Sequence, residues 1–222
     1  MRFAIARWVM HHRVLVLLLF VAATAFFMTG LKNVEIRTVF NDLLPANDPY
    51  VQVYFDHRNF GNPMSVAIVV KRKDGEIYHA DTLQKVWDLT RDLDLAPAMN
   101  HDTVISVATE KLRYAEATPF GVAANPLMDN HPPATPEEVA EFKRRIGVST
   151  NAQTFFVSRD ESATMILGAF HDYVDYGEGF EFVQNLVEQA RDDKHEIYLS
   201  GQPVLTGWVY KLQKQTYKIF AV

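Results

Sequence analysis

Hydrophobic positions follow three different patterns along this chain. From Val14 to Leu31 they run unbroken, eighteen residues without a charge, which as a helix rising ~1.5 Å per residue spans about 27 Å. Ser65 to Lys71 (SVAIVVK) is a shorter, β-branched run ending at the turn formers Lys73-Asp74-Gly75, which predicts a buried strand. Next, Leu83, Val86, Trp87 and Leu93 recur at helical spacing behind an acidic N-cap at Asp81 with Gln84 three residues on, and this helix stops near Asp94, before Pro97. Thr103 to Thr109 (TVISVAT) alternates and predicts a second strand, so residues 65–109 read as a β-α-β unit whose strands can pair in parallel.

The remaining segments extend that pattern. Residues 32–50 mix charge with Asn41-Asp42 and Pro45-Ala46-Asn47-Asp48-Pro49, the composition of a connector. Residues 110–134 hold Pro119, Gly121, Pro126, Pro132 and Pro133 and read as a long working loop. Thr135-Pro136-Glu137-Glu138 combines an N-cap, a first-position proline and a capping-box glutamate, and Val139, Phe142 and Ile146 stripe the helix that follows. Strands are predicted at Gln153–Ser158 and Ser162–Phe170 around an Arg159-Asp160-Glu161 hairpin turn, then a helix from about Gly177 to Asp193 and a strand at His195–Ser200. The order β-α-β, loop, α-β-β-α-β predicts an α+β sandwich of ferredoxin-like type. Trp208 to Lys218 reads as a last helix with Lys211, Lys214 and Lys218 near one face.

The unbroken apolar run matches a hydrocarbon core of about 30 Å. Trp8 suits the headgroup layer, and Arg2, Arg7 and Arg13 favour a cytoplasmic N-terminus, a bias that Lys32 and Arg37 on the far side make modest. Ala23-Thr24-Ala25 resembles a signal-peptide cleavage site, but the apolar run continues through Phe26, Phe27 and Met28, longer than an h-region of roughly 7–15 residues. A core helix of a soluble protein would carry a polar face, and this one has none. A retained membrane span follows, with a cytoplasmic N-terminus at 1–13, the span at 14–31, an extracytoplasmic α+β domain at 32–207 and a helix at 208–222. The chain turns apolar at Ile219-Phe220-Ala221-Val222 with no cap, glycine or polar tail, the pattern of a truncated chain whose next residues enter a second span.

Composition narrows the chemistry. The chain carries 22 basic and 27 acidic residues, net −5. Residues 1–31 hold three arginines and no acid, so the rest carries 19 against 27, a net of −8 that argues against nucleic acid as a partner. Zero cysteines exclude a disulfide framework, a thiolate nucleophile and Cys-based metal sites. His57, His79, His101, His131, His171 and His195 are scattered among predicted loops and element ends without metal-ligand spacing, and read as surface or boundary residues; His11-His12 reads as an interfacial pair. No GxSxG surrounds Ser158, Ser162 or Ser200, and no phosphate-binding glycine loop occurs, Gly177-Glu178-Gly179 being a helix start. Asp92, Asp94, Asp192 and Asp193 cluster at helix ends as solvated faces. The sequence therefore assigns no catalytic, cofactor-binding or metal residue, and no enzyme activity or cofactor is expected.

Several stretches resemble the MMPL-type predicted exporters of the resistance-nodulation-division (RND) superfamily, over nearly the whole chain. They are Phe40-Asn41-Asp42-Leu43-Leu44-Pro45, Asp48-Pro49-Tyr50, Phe60-Gly61-Asn62, Ala123-Ala124-Asn125-Pro126-Leu127-Met128 and Gly201-Gln202-Pro203-Val204-Leu205-Thr206-Gly207-Trp208. The resemblance implies the N-terminal portion of a proton-driven transporter of the bacterial inner (plasma) membrane. It comprises the first span and a periplasmic porter domain of ferredoxin-like subdomains, leading into span two. Substrates would be hydrophobic or amphiphilic molecules, lipids included. The implied partners are the lipid bilayer, the remainder of the transporter chain, and a second copy or a periplasmic accessory protein. Proton-relay acids would belong to later spans, so this portion alone is not expected to transport. Loop 110–134 and Phe155, Phe156 and Phe170 would face the substrate path or, more simply for strand aromatics, pack in the core. The competing class is a single-span, membrane-anchored periplasmic binding or sensor protein.

Overall fold

The computed structural model describes residues 2–30, 45, 47–57, 64–171 and 176–220. Phe40 to Leu44 and Phe60-Gly61-Asn62, both part of the resemblance, lie outside these residues, as do Leu31, most of the 32–50 connector and the terminal Ala221-Val222. The chain divides into two compact units, 1–43 and 44–222.

The first unit is helical: α1 (Arg2–His11) and α2 (Arg13–Gly30) meet at a turn at His12. The hydrogen-bond ladder runs through that turn, from His12 N–H to the Trp8 carbonyl (3.0 Å) and from Val16 N–H to the His12 carbonyl (2.9 Å). None of α2 is buried.

The second unit is α+β. It contains α3 (Pro49–Asp56), β1 (Ser65–Arg72), α4 (Ala80–Asp94), β2 (Arg113–Thr118), β3 (Gly121–Pro126) and α5 (Pro136–Val148). There follow α6 (Thr150–Phe155), β4 (Ala163–Ala169), α7 (Tyr176–Ala190), β5 (His195–Gly201) and α8 (Gln202–Phe220). The main sheet has the order β4-β1-β5, with β1 antiparallel to both neighbours and Ile68 opposite Ile166 and Leu199. β4 and β5 are therefore parallel to each other, joined through α7, with β1 filling the slot between them. Period-2 alternation sends Val66, Ile68 and Val70 into one apolar cluster with Leu83, Val86, Leu89 and Leu93 of α4 and Val183 and Val187 of α7.

Two glycines let elements approach closely. Gly201 ends β5 at φ +132°, where a Cβ would strike the Ser65 carbonyl of β1; in α8, a Cβ at Gly207 would strike the Phe180 ring of α7. The α5 start is as expected: Thr135 Oγ1 accepts from Glu138 N–H (3.3 Å), and the Glu138 carboxylate accepts from Thr135 N–H (3.2 Å).

Five expectations need correction. The strand at Thr103–Thr109 does not form: a 3₁₀ turn at His101–Thr103 is followed by one antiparallel bridge, Ile105 to Leu167 on the outer side of β4. Ser106 turns its hydroxyl inward to Thr90 (2.8 Å), and Thr109 Oγ1 bonds the Ser106 backbone, curling the chain after a single pairing. The parallel β-α-β unit at 65–109 is consequently absent. The first half of the strand at Gln153–Ser158 is the end of α6, and only Phe156 to Ser158 reach the β4 edge, through a single bridge between Val157 and Thr164. The proline-rich loop at 110–134 contains the β2–β3 hairpin, whose register places Pro119 in its turn and Pro126 at a strand end, where the missing N–H interrupts nothing. Asp81 is not the N-cap of α4; His79 occupies that place, and the Asp81 carboxylate is spent on other partners. Within the connector, Asp48 caps α3 by accepting from Tyr50 N–H (2.8 Å), with Pro49 at the first helical position, so residues read as breakers start a helix.

Candidate functional site

The helix α2 is the plainest functional feature. Its mean hydropathy is 2.1 over eighteen residues, and its two hydroxyls are satisfied within the helix, Thr24 on the Phe20 carbonyl (2.8 Å) and Thr29 on the Phe26 carbonyl (2.6 Å). No polar group of the helix interior then requires water. At the other end Trp8 stacks on His12 (centroids 5.0 Å), whose edge meets His11 (4.9 Å), a compact aromatic cluster beside Arg13. Such a helix has the length and character of a membrane anchor or a signal sequence.

In the second unit, a groove of about 640 Å³ runs between α4 and α7, with Asp81, Lys85, Asp88, Asp92, Asp192 and His195 among its walls. Beneath its rim lies a hydrogen-bonded relay. Thr82, 0% exposed, is 2.9 Å from His195 Nε2, and His195 Nδ1 is 2.9 Å from both carboxylate oxygens of Asp192. Asp192 can only accept, so His195 donates from Nδ1, and in the neutral imidazole Nε2 is then the acceptor for the Thr82 hydroxyl. Arg72, buried at the end of β1, donates from Nη1 to Thr82 Oγ1 and to Asp81, both at 2.8 Å. Its Nε lies 2.9 Å from Asp74 Oδ1 without being aimed at it. Lys85 (3.0 Å) and Lys194 (2.9 Å) complete the set on Asp192 and Asp81.

Burial pushes both carboxyls up, but for Asp81 the hydrogen bonds from Lys194 and Arg72 outweigh it, and for Asp192 those from His195 and Lys85 do. Each is held well below the usual carboxylate range.

Hydroxyl, imidazole and carboxylate are thus spaced as in a hydrolase triad. The chemistry is different. Thr82 is enclosed, and its oxygen already accepts from Arg72, so a substrate carbonyl has no approach to it. What the relay does is fasten the start of α4, the end of β1 and the start of β5 to one another.

His195, 3% exposed, and Asp192 are therefore neither the boundary histidine nor the free solvated carboxylate expected of them. A signal for them existed: Asp192 precedes His195 by three residues at a helix-to-strand turn, and Arg72 continues the inward phase of Val66, Ile68 and Val70. The other histidines stay apart. His57 sits at the C-cap of α3 and His79 at the N-cap of α4; His101 bonds Asp94 (3.1 Å) and His131 the Pro132 carbonyl (3.1 Å). The backbone of His171 bonds Ala98. Among the described residues no three His, Asp or Glu side chains form a metal-sized cluster. Ser158 and Ser162 both donate to Asp160 in the turn before β4, Ser200 lies exposed on β5, Asp92 pairs with Arg91, and Gly177 to Gly179 form the first turn of α7. Phe156 and Phe170 are core residues, whereas Phe155 is exposed.

Comparison of the chain with models of known protein families and with curated proteins finds no match.

Proposed function

We propose that this chain supplies the first membrane span and an extracytoplasmic porter-type domain of an RND-type exporter for hydrophobic or amphiphilic molecules, lipids among them. The observation that carries the proposal is α2, without a charge from Val14 to its end at Gly30 and buried nowhere in the protein, joined to a folded and acidic body. Support comes also from the sheet. A β1 strand slotted between parallel β4 and β5, with Ile105 touching the outer side of β4, is what a ferredoxin-like fold presents when one edge strand is reduced to a bridge. The glycines at 201 and 207 in the family-like segment both have a packing reason in this fold. In this reading the body lies in the periplasm of a bacterial inner membrane and works with the other spans of the transporter, which hold the proton relay; Val14 to Leu31 contains no ionisable residue that could serve.

The absence of cysteine permits a direct test. Glu137→Cys places one thiol at an exposed position of the body, to be labelled by a membrane-impermeant maleimide in intact spheroplasts. Labelling before lysis, with the chain resistant to carbonate extraction, is the expected result; labelling only after lysis overturns the orientation. Deleting the protein should raise cellular retention of a lipophilic fluorescent amphiphile. Unchanged retention with a normal anchor would instead favour a membrane-anchored binding or sensor protein.

A further inference from the structure

The two outer edges of the main sheet are treated differently. On β4, backbone groups that turn away from β1 find partners along the strand. The Ala163 carbonyl accepts from Ser158 N–H (2.9 Å), Met165 N–H donates to the Phe156 carbonyl (3.1 Å), Leu167 exchanges both its bonds with Ile105 (2.9 Å each), and the Ala169 carbonyl accepts from Asn100 N–H (2.9 Å). On β5, Lys73 N–H donates to the Lys194 carbonyl (2.9 Å), which fixes the phase of the ladder with β1: Glu196, Tyr198 and Ser200 bond to β1, while His195, Ile197 and Leu199 turn their backbone groups outward. His195 N–H is taken by the Asp192 carboxylate (2.7 Å), but among the described residues nothing pairs with the outer side of Ile197 or Leu199. The strand also carries no proline, lysine or bulge, the usual guards of an open edge.

We infer that β5 is the seam of a two-fold homodimer, in which it pairs antiparallel with the β5 of a second copy about Tyr198. The register follows from the groups at hand. Centred on Glu196, the pairing would set one carboxylate against the other. Centred on Ile197, it would call on His195 N–H, which Asp192 already holds. Centred on Leu199, it would run into the start of α8 at Gln202. Centred on Tyr198, Ile197 and Leu199 exchange both bonds with the Leu199 and Ile197 of the second copy, so the open backbone groups of both residues are used. On the outer face Tyr198, 53% exposed and donating its hydroxyl to Glu196 (2.7 Å), meets the second copy's Tyr198 at a position without ladder bonds, where side chains come closest. Glu196 then lies opposite Ser200, so no like charges oppose each other. A strand that complements itself in bonds, rings and charge selects a copy of the same chain over another extended segment. The two main sheets become one, in the order β4-β1-β5-β5-β1-β4. This seam lies wholly in the body and does not depend on the reading of α2.

The test uses the full chain in mild detergent, where the absence of native cysteine lets one thiol report on one position. In Tyr198→Cys the two thiols face each other across Cα atoms about 4.5 Å apart, within reach of a disulfide. In Glu196→Cys they lie four residues out of register, about 13 Å apart along the strands. Under a mild oxidant Tyr198→Cys should become a covalent dimer about tenfold faster than Glu196→Cys or the distant Glu137→Cys. Sedimentation equilibrium should show the unmodified chain passing from monomer to dimer with concentration. Tyr198→Lys and Tyr198→Glu, each opposing like charges, should weaken that association about tenfold, and mixing the two variants should restore it. Circular dichroism melts of both should match the unmodified chain, since the side chain at 198 lies outside the core. A chain that stays monomeric, equal cross-linking at 196 and 198, or a mixture no tighter than its components overturns the proposal. A dimer that survives Tyr198→Lys unchanged also overturns it, and assigns self-association to another surface such as α2.

Discussion

The helix α2 and the strand β1 both carry a continuous apolar run, and they meet opposite fates. In β1, Ile68 and Val70 are wholly enclosed, because two partner strands and the α4 and α7 helices cover them; in α2, Leu18 and Val21 face outward along with every neighbour. Apolar composition therefore does not say where a segment ends up. The strand's alternation leaves one row of side chains for the core and one that is only partly covered, so a protein of this size can finish the job itself. An all-round apolar helix offers no polar row, so it needs apolar surroundings on every side, and the described residues of the protein provide them on none.

Substitutions can break that comparison. The largest effect is expected from Ile68→Asp, which leaves an unpaired charge in the core and should unfold the body outright, at more than about 5 kcal/mol. Far-UV circular dichroism against temperature measures it. The matching pair in the helix, Leu18→Arg with Val21→Arg, should leave the melting of the body unchanged while the chain leaves the membrane, each arginine costing about 2.5–3.5 kcal/mol of insertion. A lowered melting temperature in the arginine pair would mean that α2 is a core helix after all.

Smaller changes sharpen the account of the body. Gly201→Ala, at a positive φ and against the Ser65 carbonyl, should cost about 3 kcal/mol in urea unfolding. Thr82→Val removes the hydroxyl between Arg72 and His195 and should cost about 1–3 kcal/mol, because two buried nitrogens lose a partner.

The same relay sets an acid response. The Asp81 and Asp192 carboxyls lie below their unfolded values, near 3.9, so their contribution is complete above about pH 5 and is lost as pH falls below it. Melting temperature should be flat from neutral pH to about 5 and then drop, with a shallower drop in Asp192→Asn. Least of all, Thr135→Ala removes the α5 cap and should cost about 1 kcal/mol.

What could be read ahead of the structure was what local periodicity decides. β1, α4, α5, β4, α7 and β5 all lie close to their expected places, because each carries its own pattern of inward residues over at least two turns or three pleats. Thr103–Thr109 carried such a pattern as well, yet Ser106 and Thr109 found side-chain partners nearby before a strand partner could be made. Asp48-Pro49 was illegible for the opposite reason: the residues that start a helix are those that end one. The relay was hidden because it joins residue 72 to residues 82, 192 and 195, a proximity that only the sheet order creates.

The β2–β3 hairpin stands apart from all of this. It is attached at its base, where Tyr114 lies under Arg144 and Arg145 and the Arg113 carbonyl accepts from Ser149, while most of its side chains beyond Tyr114 face solvent and Phe120 at the tip is 101% exposed. An isolated two-stranded ribbon is marginal in water, so its rungs can part without disturbing the central cluster. Amide hydrogens from Ala115 to Ala124 should trade with deuterium while those of β1 are still locked, and the ribbon can change shape on a timescale of its own.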